Sequence, residues 1–276
     1  MMLPEELQAE AQLRAVQINP QNLMPPAAPG TPPAALKLAL ARKKLWPNGH
    51  TLRIRFDWKG SKYATQPAAQ QIIERRVKEF AGQWLEFANL HFDYGNYPDA
   101  TIRITFNPNV GSWSYIGTDN LSIPANQPTM NLGWLTPTSS NETYSQVVLH
   151  EFGHVIGCIH EHSTEIAQIK WKKDLVYQWY KDNCGWDKPK VDWNVFYIEA
   201  SSNHSDKFDA ESIMTYPILK EHTEDGFHVE WRSQLSKEDK EFIAKIYPKG
   251  QSSSLTNVRG SASDRYGKIE LCWYHK

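Results

Sequence analysis

The residues that could do chemistry are concentrated between positions 150 and 162, where the chain reads HEFGHVIGCIHEH. In a helix of about 3.6 residues per turn, His150 and His154 lie about 40° apart on one face, so both imidazoles can bind one cation. Gly157 permits a positive-φ turn that brings His160 back as a third nitrogen. Three imidazoles with an open fourth position describe a catalytic zinc site, whereas structural zinc sites are closed and usually rich in thiolate.

Glu151 lies beside the two helical histidines and not among them. Its position, about a third of a turn away, places a carboxylate next to the metal, where it can take a proton from bound water as a general base. The alternative is an ordinary polar helix that carries histidines, but the added glycine and third histidine make the extended pattern highly specific. We expect His162 at the rim of the site or behind the ligands and not on the metal.

The segment from His150 to Glu161 resembles H-E-x-x-H-x-x-G-x-x-H-E, the signature of metzincin metallopeptidases, and the glutamate after the third histidine is typical of the astacin family. Downstream, SIMTY at 212–216 resembles the astacin form of the Met-turn, S-x-M-x-Y. The resemblance implies that Met214 lies beneath the zinc ligands. It also implies that the Tyr216 oxygen binds zinc or swings out to stabilise the transition state.

Glu161 has two interpretations. In the astacin family this residue joins a buried network with the new N-terminus of the processed enzyme, which here requires cleavage between the proline-rich stretch and Trp46. Alternatively, Glu161 orients His160 or bonds a nearby backbone group. Cys158, inside the motif, is predicted to be a small buried hydrophobic residue and not a regulatory thiol.

Composition sets limits on partners and compartment. The 276 residues include 30 basic and 31 acidic side chains, so no basic excess suggests nucleic acid or an anionic membrane as a partner. No run of about 18 apolar residues predicts a membrane span. The three cysteines, Cys158, Cys184 and Cys272, allow at most one disulfide, whereas astacin-family domains usually have two. The resemblance implies an extracellular setting, but the few cysteines and the lack of signal-peptide features at the N-terminus leave the compartment unknown.

The elements before residue 150 predict a mixed sheet backed by helices. Residues 51–56 alternate as a half-buried strand should, 67–90 carry apolar residues at helical spacing, and 91–94 and 100–106 are further strand candidates. By resemblance, 111–117 match the family's W-S-Y-x-G segment, and 128–134 fall where metzincins place the edge strand that pairs with substrate. An open edge can accept an extended peptide as an added strand. Thr143 and Gln146 form a candidate capping box that opens the zinc helix.

The elements after residue 162 are shorter and more irregular. Helical segments are predicted at 170–183 and 191–197, a polar loop at 201–209, and a final helix at 237–247 that Ser236 caps. At the other end of the chain, 4–16 favour a short amphipathic helix and 19–34 a proline-rich linker. The last residues, 268–274, form a further strand candidate.

These patterns, together with the resemblance, predict an α+β metzincin-type zincin. A twisted mixed sheet and backing helices form its upper subdomain, the zinc helix lies at the cleft, and the lower subdomain is irregular and mostly helical. The expected units are an N-terminal extension or propeptide-like segment at 1–45, a catalytic domain at 46–248 and a tail at 249–276. The function implied is a monomeric zinc endopeptidase that binds a protein or peptide substrate. A catalytically silent peptide- or partner-binding relative, and a hydrolase of another amide, are the alternatives.

Overall fold

A computed structural model of the chain describes residues 3, 7–23, 44–164, 167–198 and 208–250. Five strands form its sheet: β1 (Thr51–Phe56), β2 (His91–Tyr94), β3 (Ile102–Thr105), β4 (Ser112–Ser114) and β5 (Met130–Leu132). The α-helices are α1 (Gln8–Ile18), α2 (Pro67–Leu85), α3 (Asn141–Val155), α4 (Lys173–Cys184), α5 (Lys188–Val191) and α6 (Lys237–Ile246).

The sheet is mixed, as predicted, and has the strand order β2-β1-β3-β5-β4. Four strands pair in parallel, and β4 alone runs antiparallel, against β5. The prediction that 128–134 supply the edge strand is wrong, because β5 lies between β3 and β4 and the outermost strand on that side is β4. All three residues of β5 are buried, which is the pattern of an interior strand covered on both faces.

Strand β1 spans the predicted residues, and its alternation buries Leu52 and Ile54 completely. Helix α2 ends at Leu85, five residues before the predicted end, since the residues that follow turn toward β2 and bury Leu90 in the core. Helix α2 packs against α3, and the Trp84 indole N–H donates to the Leu149 carbonyl at 2.9 Å. The two helices are therefore joined by a hydrogen bond as well as by apolar contact.

Helix α3 begins differently from the prediction. Its N-cap is Ser140, whose hydroxyl accepts the Thr143 N–H at 3.0 Å, so Thr143 is already helical. Arg76 of α2 donates to the Asn141 side chain at 2.6 Å and also to the Ser139 carbonyl. Its guanidinium lies 3.7 Å from the ring centre of Tyr144. The start of α3 is thus fixed by a capping serine and by a cation from the backing helix.

The second half of the chain forms the smaller, mostly helical part. Helix α4, helix α5 and a π-helical turn at Asp192–Phe196 surround a buried cluster of Val176, Val191 and Val195. Helix α6 returns to the main core and carries the predicted cap at Ser236, here as a complete capping box with Asp239. Most of the predicted loop at 201–209, most of the proline-rich stretch and the strand candidate at 268–274 lie outside the described residues.

The N-terminal helix α1 lies against the main body of the fold. Leu7 and Ala11 form a small core with Tyr115 and Ile123, beside the outer strand. Beyond α1, the Asn22 side chain exchanges hydrogen bonds with both backbone groups of Leu45, at 2.9 and 3.1 Å. Among the residues described, no helix has the length and apolar character that crossing a bilayer requires.

Candidate metal centre

Three imidazoles gather at one point, from the last two turns of α3 and from the loop that follows it. The ligand atoms of His150, His154 and His160 all lie within 4.8 Å of one another, and no other group in the described part of the chain has this arrangement. The Nε2 atoms of His154 and His160 are 3.1 Å apart. The three residues named from the spacing of the motif therefore meet, as a metal-binding group requires.

Backbone carbonyls orient two of the three rings. His150 Nδ1 lies 2.8 Å from the Ile213 oxygen, and His154 Nδ1 lies 2.9 Å from the Cys158 oxygen. Because a carbonyl only accepts, each Nδ1 carries the proton and each Nε2 presents a lone pair. His150 Nε2 is buried and has no hydrogen-bond partner among the described residues. A buried lone pair of this kind fits a cation, which would satisfy it.

Burial keeps these rings neutral. It lowers the pKa of His150 to about 4, and it holds the pKa values of His154 and His160 well below the usual range for histidine. Neutral imidazole is the form that binds a divalent metal, so near pH 7 no proton has to be displaced. The donor set, three imidazoles without a thiolate, is typical of catalytic zinc.

Glu151 lies beside this group on α3 and is also buried. Its Oε2 atom has no hydrogen-bond partner in the part of the chain that the structure describes, and desolvation raises the pKa of the carboxyl group to about 8. Such a pocket disfavours a negative charge that nothing compensates. A cation held by the three imidazoles would supply that compensation.

The end of α3 is closed by residues from distant parts of the chain. Gly157 has φ of 101°, the positive value that the motif predicts, and the chain turns there toward His160. The Trp46 indole N–H donates to the Val155 carbonyl at 2.7 Å, and the Tyr247 hydroxyl donates to the Ile156 carbonyl at 2.8 Å. The same hydroxyl accepts the Trp46 backbone N–H at 3.1 Å. Carbonyls at the helix end that lack intrahelical partners are thereby satisfied.

The Met-turn at residues 212–216 packs against α3. Met214 is buried, and its sulfur occupies the space into which a side chain at Gly153 would project. Its carbonyl accepts the Glu161 N–H at 3.2 Å, which ties the turn to the segment that carries the third histidine. Gly153 is therefore required by the close approach of the sulfur.

Two further rings complete the site. The Tyr216 ring centre lies 4.2 Å from that of His160 and 5.5 Å from that of His150. Burial, followed by the Glu151 charge, raises the pKa of Tyr216, so its hydroxyl keeps its proton and can donate. His162 is buried, stacks on His160 at 5.1 Å and on Tyr216 at 5.2 Å, and its Nε2 lies 3.3 Å from the Asn194 oxygen. It packs behind the ligands and not at the rim.

Glu161 and Cys158 lie next to the ligands without joining them. The Glu161 carboxylate accepts the Asp209 N–H at 3.0 Å, a contact with a nearby backbone group. Its pairing with a processed N-terminus stays a prediction. Cys158 packs against the core, burial raises the pKa of its thiol, and neither it nor Cys184 forms a disulfide within the described residues.

Sequence reasoning missed the groups that hold the ligands in place. The carbonyls of Ile213 and Cys158 belong to residues whose side chains play no part in the contact, so no residue type signals them. Gly153 stands at a variable position of the motif, and only the contact with the sulfur explains it. Trp46 and Tyr247 lie about a hundred residues from the helix end that they close, and sequence separation hides that contact.

Solved structures that resemble this chain include two of myroilysin and one of a hatching enzyme. One structure of myroilysin has 37% sequence identity and a TM-score of 0.68, over 75% of this chain and 97% of that one. A second has 38% identity and a TM-score of 0.56, over 74% and 86%. High choriolytic enzyme 1, a hatching enzyme zinc-protease from Oryzias latipes (medaka fish), has 17% identity and a TM-score of 0.46, over 74% and 94%. No family model and no curated protein matches the chain.

Proposed function

Because the chain belongs to the astacin family of metzincin metallopeptidases, as myroilysin does, we propose that it is a zinc-dependent endopeptidase in which Glu151 is the general base. The observation that carries the proposal is a group of three neutral imidazoles beside a buried carboxylate oxygen that has no partner within the described residues. A protein that only bound peptides would have no use for that carboxylate.

The residues of the site divide the chemistry among them. His150, His154 and His160 would hold the zinc ion, which when bound supplies Lewis acidity and makes a water nucleophilic near neutral pH. The Glu151 carboxylate takes the proton of the attacking water and returns it to the departing amine. The Tyr216 hydroxyl, which burial keeps protonated, donates to the carbonyl oxygen as negative charge develops there.

We propose that the peptide substrate lies along β4 as an added strand. The support is the sheet order, in which β4 is the last strand among the described residues, and the contact of β4 with α3, the helix that carries His150 and His154. Replacing one peptide N–H of a substrate by an ester oxygen, upstream of the scissile bond, removes one strand-type hydrogen bond. We expect kcat/KM to fall about fivefold for the residue that pairs with β4, since such a bond contributes about 1 kcal/mol. Equal losses at every position would contradict strand pairing.

The decisive test is the substitution of Glu151 by glutamine, which keeps the shape of the side chain and removes its basicity. We expect Glu151→Gln to bind zinc as the parent protein does and to lose hydrolysis of casein about 10²- to 10⁴-fold. Zinc content by elemental analysis and casein digestion, with and without a chelator, measure the two effects separately.

Glu142→Gln is the matched control, because Glu142 is an exposed glutamate in the first turn of the same helix. This variant should digest casein at the parent rate. His154→Ala should lose both zinc and activity. A Glu151→Gln variant that stays active removes the assigned base, and a parent protein that binds zinc but cleaves nothing supports the catalytically silent alternative.

A further inference from the structure

The last helix of the domain contacts the Met-turn through a single carboxylate. Asp239 stands in the first turn of α6, where Asp239 Oδ2 accepts the Ser236 N–H at 2.9 Å as part of the capping box. The same carboxylate also reaches outside its helix. Its Oδ1 accepts the Ser212 hydroxyl at 2.7 Å, and its Oδ2 accepts the Ile213 N–H at 2.9 Å.

These contacts continue to the metal group through one peptide unit. The Ser212 hydroxyl that donates to Asp239 accepts the Met214 N–H at 3.0 Å. The carbonyl on the other side of that peptide unit belongs to Ile213 and accepts from His150 Nδ1 at 2.8 Å. Carboxylate, hydroxyl, peptide and imidazole thus form a continuous chain in which every donor points toward Asp239.

The direction of the chain determines its electronic effect. A hydroxyl that donates to a carboxylate becomes a better acceptor, and the peptide that donates to this hydroxyl acquires a more negative carbonyl oxygen. That oxygen draws the Nδ1 proton of His150 and makes the opposite nitrogen, Nε2, more basic. Carboxylates that bond a ligating histidine directly orient it and raise its basicity in the same way.

We propose that Asp239 is a positioning residue for the metal centre and acts on His150 through Ser212 and the peptide unit between Ile213 and Met214. The inference rests on the zinc site of the proposed function and adds to it a residue 89 positions away in the sequence. The capping of α6 explains only the bonds to Ser236. It does not explain the two bonds to the Met-turn.

Three variants distinguish the chain of hydrogen bonds from His150 to Asp239, called the relay below, from the cap of α6. Ser212→Ala deletes one hydroxyl and breaks the chain, and Asp239→Asn keeps the shape of the side chain and removes its charge. Burial is the main cause that raises the pKa of Asp239, so we expect the fold to tolerate the neutral residue. Ser236→Ala is the matched control, because it removes a hydroxyl from the same capping box and leaves both bonds to the Met-turn in place.

The measurement is the dissociation constant of zinc, obtained by competition with a chelator, together with the absorption spectrum of the cobalt(II) form and the Tm of the metal-free protein. We expect Ser212→Ala and Asp239→Asn each to weaken zinc about tenfold and to shift the cobalt bands, at the low end of the effect of direct partners of a ligand. The double variant should lose little more than either single one. Ser236→Ala should lower Tm and leave the zinc constant within about twofold of the parent value, since its hydroxyl bonds the Asp239 N–H and the Asp209 carboxylate and is not part of the chain of bonds to His150.

Zinc constants of both relay variants within twofold of the parent would overturn the inference, as would a Ser236→Ala variant that weakens zinc to the same degree. If Asp239→Asn does not fold, the zinc dissociation constant of Ser212→Ala is the test of the inference. A parent protein that binds no zinc overturns the inference and the proposed function together. A parent that binds zinc, with variants unchanged, overturns the inference only.

Discussion

At individual positions of this site, close contacts with neighbouring atoms restrict which type of residue can fit. Gly153 shows this most directly, because the Met214 sulfur lies where its side chain would be and Trp84 Cζ2 would lie 3.1 Å from an added Cβ. Both neighbours belong to the packed core, so neither can move away at low cost. The glycine is therefore part of the way in which the Met-turn reaches the ligand helix.

Gly153→Ala tests that interpretation. We expect the free energy of unfolding to fall by about 1–3 kcal/mol, the usual cost of overpacking, even though alanine favours helix. Urea unfolding of the metal-free protein measures it. Gly82→Ala is the control, since nothing lies within 4 Å of its added Cβ in helix α2, and this variant should gain about 0.5–1 kcal/mol. If both alanine substitutions stabilise the protein, the Met214 sulfur moves aside at little cost.

The residues of the candidate metal group could be predicted from the sequence, and the groups that hold them in place could not. His150, His154 and His160 follow from helical geometry and one glycine, because the constraint is local. For His162 the sequence allows a position at the rim or behind the ligands. Its stacking on Tyr216 shows that it lies behind them. The carbonyls of Ile213 and Cys158 had no signal, because a backbone acceptor is common to every residue.

At the scale of elements, α3 depends on partners at both of its ends. Ser140 and Arg76 fix its start, and Trp46 and Tyr247 close its end. The Tyr247 hydroxyl serves two buried backbone groups at once, so its loss leaves both an N–H and a carbonyl without a partner. Such groups cost more when left unpaired than the bond itself contributes.

Tyr247→Phe should therefore lower the free energy of unfolding by about 1–3 kcal/mol, measured by urea denaturation, since the ring still fits. The Tyr97 hydroxyl bonds one carboxylate near the surface, and Tyr97→Phe should cost about 0.5 kcal/mol, near the lower limit for a single bond. Equal effects of the two substitutions would mean that water replaces the Tyr247 hydroxyl at the helix end.

Local patterns predicted elements well and their arrangement less well. Strand β1 and helix α6 were predicted closely, because alternation and a capping box are signals within the segment itself. The sequence wrongly indicates β5 as the edge strand, because an apolar strand pattern does not show whether the strand has one neighbouring strand or two. The start of α3 was placed at Thr143 because the pattern of a capping box occurs there, three residues after the true cap.

Over the whole molecule, the N-terminal segment is held to the rest of the fold by specific polar contacts. The Asn22 amide donates to the carbonyls of Ala15 and Leu45, and its oxygen accepts the Leu45 N–H. Leu45 precedes Trp46, whose indole closes the end of α3. In the intact chain, the segment before residue 46 is therefore connected to the helix that carries the ligands. The domain boundary at 46 remains a prediction, which N-terminal sequencing of active protein would check.

Asn22→Ala should lower the Tm of the full-length protein by several degrees. The substitution removes three hydrogen bonds of a buried side chain, at a cost of about 1–3 kcal/mol, and each kcal/mol shifts Tm by about 2–4 °C in a protein of this size. Asn109→Ala, at an exposed position of the 3-10 turn Pro108–Val110, should leave Tm unchanged. An Asn22→Ala protein with the parent Tm would indicate that the N-terminal segment adds nothing to stability before any processing.

The Tyr247 hydroxyl also has a consequence for biosynthesis. During synthesis, helix α3 leaves the ribosome long before Tyr247, whose hydroxyl donates to the carbonyl at the end of that helix. Until residue 247 has emerged from the ribosome, the carbonyl at Ile156 has no permanent donor. We expect the group of three imidazoles to reach its final form only with the last helix, so that the proposed peptidase activity is absent during most of the synthesis of the chain.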